Sequence, residues 1–141
     1  MKKLLVSLMT IVLVTILTAC GATEEKITAE DFIQKFVDDG LEVGEVSDLP
    51  NKEYGETRLE GKRILIPSLG EDSGGRLFIF KDEEGIEKAK GYYDELGTTS
   101  PLLYSHTYQN GLVLLQMNGD MEDAVFKQYT KAIDAVMKKT K

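Results

Sequence analysis

The chain has 141 residues, with 24 acidic and 17 basic side chains, one histidine, one cysteine and no tryptophan. That length suits one domain of ordinary size, and a single cysteine excludes an internal disulfide framework. A formal net charge of −7 argues against a polyanion such as nucleic acid as ligand.

In chain order, the first feature is Met1-Lys2-Lys3 followed by an uncharged, mostly apolar run from Leu4 to Ala19. The run is long enough for a signal-peptide h-region and shorter than a comfortable membrane span of about 20 residues. It ends on Leu17-Thr18-Ala19-Cys20. This string resembles the lipobox of bacterial lipoproteins. The resemblance implies cleavage after residue 19, acylation of Cys20 and a lipid anchor on the extracytoplasmic face of the cell membrane. At least two acyl chains would hold it stably, because one chain binds only marginally. Residue Gly21 is not the aspartate that resembles an inner-membrane retention signal, which agrees with a one-membrane (Gram-positive) cell. The domain reading is therefore signal peptide 1–19, lipidated cysteine and tether 20–27, and one domain over 28–141. Residues 21–60 hold twelve acidic and four basic side chains, so the negative charge lies nearest the lipid. It is either a solvated surface or a device that anionic headgroups repel.

Thr28 is placed to cap a helix with Glu30 and Asp31 in its first turn, and Phe32, Ile33, Phe36 and Val37 supply an apolar face. Gly40 is placed to end it. The alternation over Leu41–Val46 predicts a short strand, and residues 47–61, broken by Pro50, Gly55 and Gly61, predict a loop. Ile64-Leu65-Ile66 and Arg76–Phe80 read as strands on either side of a glycine-rich turn. Asp82 can cap a second helix, with Ile86, Ala89, Tyr93 and Leu96 inward, Tyr92 outward and Gly97 as its stop. Asn110-Gly111 between two apolar runs predicts a hairpin, since both central residues of a type I′ turn take positive φ. A two-residue loop there pairs Tyr108 with Val113, His106 with Leu115 and Tyr104 with Met117, on the core face. Asp120 is expected to cap a last helix whose stripe runs through Met121, Val125, Tyr129, Ala132, Ile133, Val136 and Met137. The order from residue 62 matches a ferredoxin-like order with its last strand moved to the front. The expected fold is α+β: a four-stranded antiparallel sheet with two helices on one face, plus an N-terminal helix and short strand as an added layer.

Glu71-Asp72-Ser73-Gly74-Gly75 resembles the string around the nucleophile of chymotrypsin-like serine proteases. That reading fails, because the sole histidine follows the serine, Glu71 replaces the first glycine, and the chain is too short for two barrels. The segment from Ser68 through Glu71, Asp72, Ser73, Gly74 and Gly75 is a candidate ligand loop. Its glycines suit an anion and its carboxylates a hard cation. His106 reads as a core histidine, without the cysteine or second histidine of a metal site. No catalytic residue, metal site or cofactor is predicted.

Ile64–Arg76, Tyr92–Gly97 and Gln116–Asp120 together resemble a group of small lipoproteins of Gram-positive bacteria often labelled "stress protein". The label implies no reaction. The expectation is a membrane-anchored, non-enzymatic binding or interaction module that meets an envelope protein or small ligand. The alternatives are a phage or plasmid exclusion lipoprotein, or a small hydrolase using Ser73 or His106.

Overall fold

The computed structural model describes residues 25–140. The predicted signal peptide, Cys20 and the first part of the tether lie outside the described residues. Helix α1 spans Ala29–Asp38. Thr28 donates its backbone N–H and its hydroxyl to the Asp31 carboxylate, at 2.7 and 2.9 Å, and Gly40 leaves the helix at φ +74°. Phe32, Ile33 and Phe36 are buried, whereas Val37 is 52% exposed. It stands about 100° round from Phe36, past the edge of the buried stripe.

Five strands form one antiparallel sheet: β1 (Val46–Asp48), β2 (Arg58–Leu65), β3 (Gly74–Phe80), β4 (Ser105–Asn110) and β5 (Val113–Asn118). Their spatial order is β1-β2-β3-β5-β4. The α+β class stands, but the expected four strands are five. The short N-terminal strand begins only at Val46 and pairs with β2, so it is the sheet's edge and not a separate layer. β2 begins at Arg58, inside the stretch expected to be a loop. Gly61 makes this possible. A Cβ there would stand 2.9 Å from the Arg58 guanidinium, which lies across it and donates to the carbonyls of Leu49 and Glu53, both at 2.8 Å.

Helices α2 (Glu83–Thr99) and α3 (Asp123–Lys138) complete the fold. They do not share a face, which corrects the two-layer expectation. α1 and α3 cover one side of the sheet, over Ile64, Leu77, Leu115 and Met117. α2 covers the other, over Phe78, Phe80 and Leu114. α2 carries the chain from β3 to β4, and both strands constrain its side. No strand follows α3 among the described residues, so it is free to meet α1, where Phe36 and Tyr129 pack edge to face at 5.1 Å.

Three local boundaries also differ. α2 runs past Gly97 to Thr99, and Gly97 instead makes room for Tyr104, whose ring would be 3.1 Å from a Cβ. Asp120 belongs to the turn after β5, donating its N–H to Asn118 Oδ1 at 2.7 Å, and α3 starts at Asp123. Val125, expected in the α3 stripe, is 37% exposed. The hairpin pairs Asn110 with Val113, Tyr108 with Leu115 and His106 with Met117, and Tyr104 lies outside β4. Only Gly111 of the turn has positive φ, +56°, as a glycine-first II′-type turn requires. The pairing is displaced by two residues from the expected one, and a shift of two preserves the faces.

Candidate functional site

Along the α2 side, one row of paired residues crosses four strands: Arg63, Arg76, Gln116 and Thr107. α2 slants toward β4 and caps only one end of this row. There Thr107 donates its hydroxyl to Asp94 at 2.6 Å, and Lys90 reaches the same carboxylate at 2.5 Å. Burial raises the Asp94 pKa, but those two hydrogen bonds together with the Lys90 charge outweigh it and hold it below the ordinary value. The β2 end of the row is left open. It forms the wall of a cavity of about 320 Å³ whose lining includes Arg63, Arg76, Ser105, Asn118 and the segment Asp72–Gly75. The turn Pro101–Leu103 and Tyr104 border it, with Leu102 95% exposed.

The two arginines are held differently. Arg76 gives Nε to Glu53 at 2.7 Å and Nη1 to Gln116 Oε1 at 3.3 Å, so it lies fixed on the sheet. Gln116 in turn donates to Ser105 Oγ at 2.9 Å. Arg63 gives Nη2 to the Asp72 carbonyl at 2.9 Å, while the Asp72 carboxylate stays 3.7 Å away and points into solvent. Behind Arg76, burial pushes the Tyr93 phenol up to about 12, with the arginine charge pulling weakly the other way. A donor-rich, polar hollow is therefore present in an acidic chain.

Among the residues expected from sequence, Asp72, Ser73, Gly74 and Gly75 line this cavity; Ser68 and Glu71 do not. Ser68 turns away to Glu42, giving its N–H at 2.9 Å and its hydroxyl to the same carboxylate. Glu71 is simply exposed. The glycine pair answers a packing need. A Cβ on Gly74 would lie 2.0 Å from the Ile64 carbonyl oxygen, and one on Gly75 2.2 Å from that of Gln116. Asp72 sits at φ +59°, a conformation that aspartate tolerates better than most residues.

His106 lies on the opposite face, beneath α3. Its Nε2 is 2.7 Å from the Met121 carbonyl oxygen, which assigns the ring proton to that nitrogen. Nδ1 lies 3.3 Å from Tyr104 Oη and 3.7 Å from the Asp123 carboxylate, and the ring stacks on Phe126 at 4.8 Å. His106 and Ser73 therefore serve different faces of the sheet. No group of three or more histidine, cysteine, aspartate or glutamate side chains is placed to hold a metal among the described residues. No helix among them is long and apolar enough to cross a membrane.

Sequence reasoning missed Arg63 and Arg76. A signal was present: they are equidistant from the turn between β2 and β3, so extending that hairpin's register puts them opposite each other. No protein-family model matches the chain, and no curated protein or solved structure is significantly similar to it.

Proposed function

We propose that the protein is a lipid-anchored extracytoplasmic binding module whose ligand enters the cavity over Arg63 and Arg76. The observation that supports this reading is the half-covered sheet face. Elsewhere the face is closed by α2 together with Leu49 and Tyr54, yet at this end it leaves a concave, polar opening bordered by exposed Leu102 and Leu103. Clefts with a few convergent polar groups are the common form of small-ligand sites. The anchor rests on the lipobox Leu17–Cys20, and it keeps such a module at the membrane while the domain meets its ligand outside.

Each half has its own test. Cys20→Ser should abolish incorporation of radioactive palmitate in cells, and persistent labelling would remove the anchor from the reading. A photocrosslinking amino acid at Leu102 should give a discrete adduct in intact cells. The same probe at Lys131, on the exposed side of α3, should not give that adduct. Equal adducts from both positions, or none from Leu102, would reject the cavity as the binding site.

A further inference from the structure

We infer that the Arg63–Arg76 cavity takes the phosphate group of a phosphate ester, presented from the side of the domain that faces away from the tether. This rests on the cavity being the binding site, as proposed above.

The first ground is charge placement. Arg63 and Arg76 are direct cross-strand partners on one face, and like charges so placed destabilise a sheet. Glu53 neutralises Arg76 from behind at 2.7 Å. Arg63 has weaker cover, because the Asp72 carboxylate is 3.7 Å off and its side chain 80% exposed. An anion lying between the two guanidinium groups would turn their repulsion into shared attraction.

The second ground is the donor inventory. The arginines spend Nε and Nη1 of Arg76 and Nη2 of Arg63 on acceptors. Arg76 Nη2 and Arg63 Nε and Nη1 have no acceptor among the described residues. Ser105 Oγ accepts from Gln116 and keeps its own proton to give. Asn118 spends its oxygen on the Asp120 N–H and keeps its amide hydrogens. Ser73 adds another hydroxyl to the lining. A planar carboxylate saturates one guanidinium fork. Two forks with hydroxyl and amide donors suit a group with three or four oxygens. The cavity, about 320 Å³, is larger than a bare phosphate, which leaves room for the part of an ester next to the phosphate, with exposed Leu102 at its border.

The third ground is direction. The N–H of Ala29, where the tether enters α1, is bonded to Glu60 at 2.8 Å. Glu60 pairs with Ile79 near one end of β2 and β3, whereas the cavity lies by the Leu65–Gly74 pair at the other. Five residues of strand separate the two pairs, roughly 17 Å. The tether and the cavity mouth thus occupy opposite ends of the sheet. An anchor at Cys20 would thus join the domain at the end away from the mouth.

The test uses the full-length acylated protein in phosphatidylcholine nanodiscs, observed through the Nε–Hε resonances of the two arginines. Phenyl phosphate should shift both resonances saturably, and benzoate, which has the same ring with a planar carboxylate, should bind at least about tenfold more weakly. Arg63→Gln should weaken phenyl phosphate by about tenfold or more while leaving the Glu53–Arg76 pair and the fold in place. Equal binding of benzoate, or unchanged affinity in Arg63→Gln, would overturn the phosphate assignment. Nanodiscs containing phosphatidylglycerol, with no added ester, should leave both resonances unmoved; a shift there would overturn the outward presentation. If phenyl phosphate fails to bind while the Leu102 adduct persists, the phosphate inference falls and the binding module stands. If the adduct is absent as well, both fall.

Discussion

Gly74 and Gly75 lie on the cavity wall, yet the atoms nearest them are carbonyl oxygens of neighbouring strands. Gly74→Ala would drive a methyl group to 2.0 Å from the Ile64 oxygen, so β2 must separate from β3. A loss of about 1–3 kcal/mol is expected from chemical denaturation. Near-wild-type stability would mean that the pair is conformationally free and open to a ligand role. Tyr129 gives a second case. Its hydroxyl donates to the Glu42 carbonyl at 2.6 Å and ties α3 to the segment after α1. Tyr129→Phe should cost about 1 kcal/mol, read as a lowered thermal midpoint. Identities such as these were visible in the sequence, but their neighbours were not. A glycine pair can mean a ligand loop or a tight strand approach, and only the distance to a partner oxygen decides between them.

Elements show the same division more sharply. Asp82 was identifiable as a cap because the cap and its N–H are three residues apart, and Asp82 Oδ1 accepts from Gly85 N–H at 2.8 Å. Asp120 carried the same residue type in a similar setting, but its N–H is taken by Asn118 and the helix begins three residues later. Asp82→Ala should therefore cost about 1 kcal/mol and Asp120→Ala less than about 0.5. Equal losses in thermal melts would contradict this assignment of the caps. The hairpin was found from Asn110-Gly111, and the faces of its strands followed from alternation. The pairing itself was misjudged by two residues, since a I′ turn and a glycine-first II′ turn read alike in the sequence. Gly111→Ala should cost about 1–2 kcal/mol, because a non-glycine residue would be forced to φ +56°. Substitution of Asn110 should act mainly through its 2.7 Å bond to Asp134.

Over the whole molecule, the two faces of the sheet carry separate cores, each with a buried tyrosine. Burial pushes both Tyr93, on the α2 side, and Tyr129, on the α3 side, up to about 12. Their unfolded values are about 10. A phenol with a raised folded pKa stabilises the fold fully below pH 10, and that stability is lost as pH rises toward 12. Denaturation should therefore ease steeply over that window, and Tyr93→Phe with Tyr129→Phe should flatten the loss; an unchanged slope in the double variant would assign the alkaline loss to other groups. The sequence by itself determined what is local. The Asp82 cap, strand alternation and the site of the hairpin all depend on residues within about five positions of one another. The tertiary structure alone decided which face each helix covers, that β1 joins the sheet, and that the Arg63–Arg76 pair lies beside Gln116. Those outcomes depend on strand pairing across 13 and 40 residues. They also depend on α2 stopping short of the β2 end of its face, and no local pattern encodes where a helix leaves a sheet uncovered.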